Sequence, residues 1–240
     1  MVDKLSNWRE LLGRLTAEFA IVVLGVTIAL WADGWVTERG DRAEEVARLD
    51  ALHDNVQRTL TELLAARDNA AGAAAALRKL VSLQEHDRRD IEAEELLRYG
   101  LLYGPTFYPE LNVYDDLKSS GELALLTNQE LRRSLATMDA RLELVQFAQA
   151  DLNTVQQLNI DSYMIDQLDL RSFYGTTTGL DHIAEVSEMD LGFTSDTEFR
   201  NIVLLKLDLV TQVQAALQNL EIALMAVQQT VASQLASQPQ

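Results

Sequence analysis

The sequence predicts an all-α chain: an N-terminal transmembrane helix followed by an elongated antiparallel bundle of three long helices with a short-helix cap. Three observations carry that expectation. The chain has 240 residues and only three prolines, Pro105, Pro109 and Pro239. Residues 1–104 and 110–238 therefore contain no residue that forbids helix. Ala, Leu, Glu, Gln and Arg dominate while 11 glycines are thinly spread, a composition that argues against a sandwich, a barrel or a disordered chain. Apolar residues recur at heptad spacing over long stretches.

The first element is the expected span. Phe19–Ala32 carries no charge. Extended to Leu15–Trp35 it forms a helix of roughly 31 Å, about one hydrocarbon core. Trp31 and Trp35 would anchor the exit interface and Trp8 the entry side. The segment lacks a small-x-small cleavage site, so it reads as a retained anchor. The tail carries Lys4, Arg9 and Arg14, and the far flank carries Arg39, Arg42 and Arg48. That balance leaves orientation to the short tail and the acidic body, which favour a cytoplasmic N-terminus. The expected division is a 1–14 tail, a 15–36 span and a 37–240 body.

Three helical segments of about 40 residues follow. Across 41–83 one column holds Leu49, Val56, Leu63, Ala70 and Leu77, and a second holds Leu52, Thr59, Ala66, Ala73 and Leu80. The Ala-rich middle around Gly72 permits close helix approach. Across 128–170, Thr127 and Glu130 suggest a capping box, followed by Leu131, Leu135, Met138, Leu142, Val145, Leu152 and Val155. Across 196–236, Ser195 and Glu198 suggest another. There Phe199, Val213, Leu220 and Val227 form one column, interrupted by Lys206, and Ile202, Leu209, Ala216 and Ala223 form the other. Residues 84–127, with both internal prolines, are expected to cap the distal end. Short helices are expected near 91–103 and 111–119. Residues 171–194 are expected to form a membrane-proximal connection.

Charge and side-chain chemistry narrow the function. The net charge is −17, of which residues 37–240 carry −16. An acidic surface argues against nucleic acid. No cysteine is present, so no disulfide, zinc–thiolate site or thiol nucleophile exists. Asp50-x-x-His53 and His182-x-x-Glu185 do not make a di-iron pattern. No serine-hydrolase, phosphate-loop or metalloprotease motif occurs. The expectation is therefore no enzyme activity, no metal and no cofactor.

Two stretches stand out. Glu18, Val22, Gly25, Ala29 and Ala32 share one face of the span. Gly25 and Ala29 make a small-x-x-x-small pair, and Glu18 is a carboxyl near hydrocarbon: the face reads as an oligomer or partner contact, against an interfacial Glu18 that snorkels and pairs with Arg14, or a proton-linked Glu18. The second stretch is Tyr114–Arg132, read as a short helix ending at Ser119–Ser120, a left-handed stop at Gly121, an apolar anchor Leu123–Leu126 and a capped helix. With Tyr99, Tyr103 and Tyr108 added, Tyr114, Lys118, Ser119, Ser120 and Gly121 would form a distal recognition cap.

Glu18–Trp35 with Glu38–Arg39, and Leu117-Lys-Ser-Ser-Gly-Glu-Leu123 with Asn128 and Leu131-Arg132, resemble the two landmarks of a bacterial family of uncharacterised single-span membrane proteins, a domain of unknown function. About 50 residues carry the resemblance. Family members tend to carry Asn at the span exit, where this chain has Ala32-Asp33-Gly34. The resemblance implies a bacterial inner-membrane protein with a periplasmic helical body, and supplies no activity. The expected function is a membrane-anchored, non-enzymatic scaffold or accessory component. Its partners would be the lipid bilayer and a second copy or a membrane protein. The alternative is a ligand-sensing bundle that signals through a partner in the membrane.

Overall fold

The structure is a computed structural model of the chain, and it describes residues 3–82, 96–102, 104–124, 126, 128–167 and 196–237. Within residues 3–43, side chains are described only at 23–28, 31 and 40. The elements in order are α1 (Asp3–Ser82), a π turn (Arg98–Leu102), α2 (Asn112–Ser119), a 3-10 turn (Glu122–Ala124), α3 (Gln129–Val155), a second π turn (Gln156–Ile160), α4 (Asp161–Gln167) and α5 (Thr197–Ser237). The described residues contain no strand, so the all-α expectation holds.

The chain forms two compact units, residues 1–51 and 52–240. In the first, the expected span and the start of the first body helix are one α-helix rather than two elements. No proline interrupts it, and Gly25, Gly34 and Gly40 each cost an interior helix only about 1 kcal/mol. An Arg48–Glu44 ion pair at 2.7 Å, one turn apart, supports it locally. Val23, Leu24, Gly25, Val26, Thr27 and Ile28 are all exposed, as is Trp31. No helix among the described residues is long and apolar enough to cross a membrane.

The second unit holds the core. Val56, Leu63, Ala70 and Leu77 are buried, and so are Leu52, Thr59, Ala66, Ala73 and Leu80. Both heptad columns therefore face the interior. Leu49, in the first unit, is also buried. On α5 the predicted columns are buried except for half-buried Ala216. Thr59 tolerates burial because its Oγ1 donates to the Asn55 carbonyl at 3.0 Å.

Chain direction departs from the expected alternation. Helices α3 and α5 are antiparallel: Asn128 Nδ2 donates to Gln234 Oε1 at 3.1 Å, and Lys206 Nζ donates to Gln156 Oε1 at 2.6 Å. These contacts lie 28 residues apart on each helix, in opposite order. Residues 98–111 run against α1, because Gly100 lies on Leu77 and Leu80 whereas Glu110 and Val113 bond Asn55. They also run against α3, because Gly104 lies by Leu152 and Phe107 pairs with Gln149. Helices α1 and α3 therefore point the same way.

The described part of the 84–127 segment is thus no end cap. It returns along the bundle before α3 begins. From Leu77 to Asn55, α1 advances about 33 Å at 1.5 Å per residue. Residues 100–110 must cover nearly that distance, and ten extended residues reach at most about 36 Å. The return is therefore extended, and Pro105 and Pro109 sit in it. Proline has no N–H to leave unpaired, and its fixed φ suits an extended chain. The prolines mark this return, not the corner that their spacing suggests.

Helix ends follow local chemistry. Asn128 is the N-cap of α3, its Oδ1 accepting from the N–H groups of Glu130 (2.9 Å) and Leu131 (3.1 Å). The cap expected at Thr127 is therefore made one residue later, and Thr127 itself lies outside the described residues. At α5 the Asp196 carbonyl accepts from Arg200 N–H at 3.2 Å. Ser195 lies outside the described residues. Helix α2 ends as expected: Ser120 N–H donates to Asp116 O at 2.9 Å, and Gly121 follows at φ +78°. That left-handed backbone is open to glycine without steric penalty.

Candidate functional site

Lys206 interrupts an apolar column of α5, and it has no exposed surface. Its amine lies where three segments meet. Nζ donates to the Leu101 carbonyl and to Gln156 Oε1, the latter at 2.6 Å. Leu101 lies at the end of the first π turn, where the last carbonyls of a helix lack intrahelical partners. Gln156 begins the second π turn. Its Nε2 donates to the same Leu101 carbonyl at 3.1 Å and to Asp161 Oδ1 at 2.5 Å.

The second π turn explains how one amide serves both neighbours. Residues five apart diverge around an α-helix, but a π turn returns them to nearly the same side. Gln156 and Asp161 are five apart. The inserted residue therefore brings the carboxylate to the amide that contacts Lys206.

Burial pushes the Lys206 pKa down to about 7, against a smaller upward pull from Asp161. Near the start of α5, Tyr163 lies beside Phe199, their rings 6.4 Å apart and tilted. Burial, then Asp196 and Glu198, push the Tyr163 hydroxyl up to about 12. Lys206 has no solvent-facing surface, so a substrate cannot reach it without local opening. The amine thus lies inside a polar knot of Leu101, Gln156 and Asp161.

A second cluster joins α2 to α3. Lys118 Nζ contacts Asp139 at 2.7 and 2.9 Å and lies 5.7 Å from the Tyr114 ring centroid. Burial first, then Asp139, hold the Tyr114 hydroxyl well above the usual phenol range. The hydrogen bond from Lys118 to Asp139 raises the pKa of the amine.

These positions revise the expected recognition cap. Tyr108 and Tyr99 are exposed, but Tyr114 is buried and faces α3 instead of solvent. Ser119 Oγ donates to Asp116 O and Ser120 Oγ to Leu117 O, so both hydroxyls close the end of α2. Tyr99 lies over Gly72, close enough that a Cβ there would come within 2.8 Å of its hydroxyl. Gly121 is a turn residue. Tyr103 lies outside the described residues. The structure spreads the described groups from the first π turn to the turn after α2 rather than gathering them at one end.

On the predicted span face, a Cβ added at Gly25 would meet no non-local atom within 4 Å, and Trp31 is exposed. The side chains of Glu18, Val22, Ala29, Ala32, Trp8 and Trp35 lie outside the described residues, as do His86, His182 and the 171–194 connection. His53 Nδ1 lies 3.8 Å from Asp54. Among the described residues no three His, Cys, Asp or Glu side chains gather as metal ligands.

In the sequence, Lys206 shows only as a break in a column. The usable signal is a lone cation at a heptad core position between Phe199 and Val213, because such a residue must find partners or leave the core. Gln156 and Asp161 give no signal, since their relation depends on a π turn. Comparison with protein-family models, curated proteins and solved structures gives no match for this chain.

Proposed function

We propose that the chain is a membrane-anchored, non-enzymatic scaffold or accessory component, oligomeric through helix faces, with residues 15–36 as its span. One observation carries the reading: six consecutive residues of α1, Val23–Ile28, are exposed. Six residues pass more than once around a helix. Four of these are large aliphatic residues and one is glycine. The sixth, Thr27, spends its hydroxyl on the Val23 carbonyl at 2.8 Å. A helix apolar and exposed on every side calls for lipid or partner helices around it. The resemblance to a bacterial single-span family agrees, and extends the reading to an inner-membrane protein with a periplasmic body. On the body, exposed Leu144 and Phe147 of α3 and Ile222 and Met225 of α5 supply apolar surface for a second copy or partner.

The test is membrane retention of the full chain. Wild-type protein should stay with bilayers after an alkaline carbonate wash, and Val23→Arg with Val26→Arg should release it. Wild-type protein in the wash would overturn the anchor. For the body's side of the membrane, a cysteine replacing Ser120 should react with an impermeant thiol reagent once the outer membrane alone is opened. Labelling only after lysis would reverse the orientation. For assembly, a monomeric mass in detergent would overturn the oligomer.

A further inference from the structure

We propose that the outward face of α5 is where a second copy of this chain docks, along an uncharged strip from Thr211 to Ala236. This names the helix face through which the oligomer forms. It rests on the oligomer reading but not on the anchor.

Helix α5 carries two heptad stripes. The inner one steps alternately by three and four residues from Val203 to Val231, and every member is buried. It builds the bundle core. The outer one steps alternately by four and three from Thr211 to Ala236, and every member is exposed. Ile222 follows buried Leu220 by two residues, about 200° of helical rotation, so it points away from the core. A stripe sustained at this spacing is the pattern by which one helix meets another.

The side chains on the strip do not suit open water. The outward face of a bundle helix ordinarily carries the charges. Arg58 and Glu62 are exposed on α1, and Arg141 and Glu143 on α3. From Leu209 to Ser237, α5 has one charged residue, Glu221. It is half-buried and spent on Arg67 at 2.6 Å. The strip itself has no charge, and Ile222 and Met225, 62% and 54% exposed, form its centre. Polar groups on this face are partly satisfied by their own helix. Thr211 Oγ1 donates to the Leu207 carbonyl at 2.7 Å, and Asn219 Nδ2 to the Ala215 carbonyl at 3.0 Å. Covering those donors costs no hydrogen bond.

Charge and symmetry select the occupant. The chain carries −17, so two copies repel through most of their surface and approach best where charge is absent. The order of residues is symmetric about the centre. Outward from Ile222 and Met225 come Gln218 and Gln229, then Ala215 and Ala232, then Thr211 and Ala236. Laid against itself in either direction, the strip sets large against large, amide against amide and small against small. A two-fold contact uses the same patch on both copies, and two facing amides can each donate and accept. On α3 the exposed pair Leu144 and Phe147 lies between exposed Glu143 and Asp151, so two such acidic faces meet less well.

The experiment is site-directed cross-linking of the full chain in membranes, beside the mass of the wild-type protein in mild detergent. The chain has no cysteine, so each introduced thiol reports alone. Ile222→Cys and Met225→Cys should each give a cross-linked dimer with a short bis-maleimide, and Leu144→Cys should not. Adding Gln218→Glu and Gln229→Glu to Ile222→Cys brings like charges together across the contact, and the cross-link should be lost. All these positions are exposed, so circular dichroism should show unchanged helix content. An oligomeric wild type without cross-links at 222 and 225 overturns this face and leaves the oligomer reading standing. A monomeric wild type overturns both and leaves the strip to a different protein. Cross-linking at 144 in place of 222 and 225 moves the contact to α3 and overturns the proposal.

Discussion

Lys206 of α5 donates to Gln156, the first residue of the second π turn, across 2.6 Å. The contact joins two long helices at a depth where an apolar pair would be expected. It also pulls in Leu101 from the return segment, so one side chain ties three separate parts of the chain. Replacing it with a leucine would keep the column apolar but leave Gln156 Oε1 short of a donor inside the bundle.

Global stability should therefore depend on pH through Lys206. Unfolded chains keep this lysine protonated to about pH 10, while the folded chain does so only to about pH 7. The unfolded state binds more protons between those values, so stability rises with pH there and is lowest at and below pH 7. Urea unfolding at pH 7 and 9.5 should show wild type gaining about 3 kcal/mol relative to Lys206→Met. Equal gains in both proteins would remove the assignment.

Two glycines should respond in opposite ways. A Cβ at Gly100 would lie 3.3 Å from Leu77, which is fully buried and has nowhere to move. Gly100→Ala should cost about 1–3 kcal/mol. A Cβ at Gly72 would meet the far end of exposed Tyr99, which can swing outward. Gly72→Ala should be neutral or stabilise by up to about 1 kcal/mol. Urea midpoints of both variants check the contrast, and equal losses would contradict it.

Asn55 should matter more than its polarity suggests. Its Nδ2 donates to Glu110 O at 2.6 Å, and its Oδ1 accepts from Val113 N–H at 3.3 Å. It therefore fixes both the end of the return segment and the start of α2. Asn55→Ala should cost about 2 kcal/mol. Thr61→Ala, on the exposed face of the same helix, should stay within about 0.5 kcal/mol. Thermal melts of the two variants should separate clearly.

The α3 cap gives a third stability contrast. Asn128→Ala removes the acceptor for Glu130 and Leu131 and should cost about 1 kcal/mol. Asn128→Asp keeps that acceptor and should retain most of the stability. Thr127→Ala should have little effect. A larger loss at Thr127 than at Asn128 would restore the cap to the threonine.

Much of the architecture was legible because it is periodic. Leu52 through Leu80 repeat every seven residues, and a helix must turn that stripe inward. The stop at Gly121 was equally local, since one backbone conformation selects one residue type. Pro105 and Pro109 misled, because a proline signals only a break in helix. Whether the chain then turns or runs straight depends on the distance between its anchors, here Leu77 and Asn55. Tyr114 misled for a related reason: its pattern reads as surface aromatic, but its burial comes from α3, which follows later in the chain.

By itself the sequence determined the helices, their apolar faces, the uncharged stretch Phe19–Ala32 and the acidic body. These depend on residue type and spacing within a few turns, so no tertiary knowledge is required. Only the tertiary structure decided that α1 and α3 run the same way, that an extended return fits between them, and that Lys206, Gln156, Leu101 and Asp161 converge. Two bonds of Lys206 join residues 50 and 105 positions apart. Nothing in a heptad specifies which distant carbonyl will meet a buried amine, because packing of whole segments sets that distance.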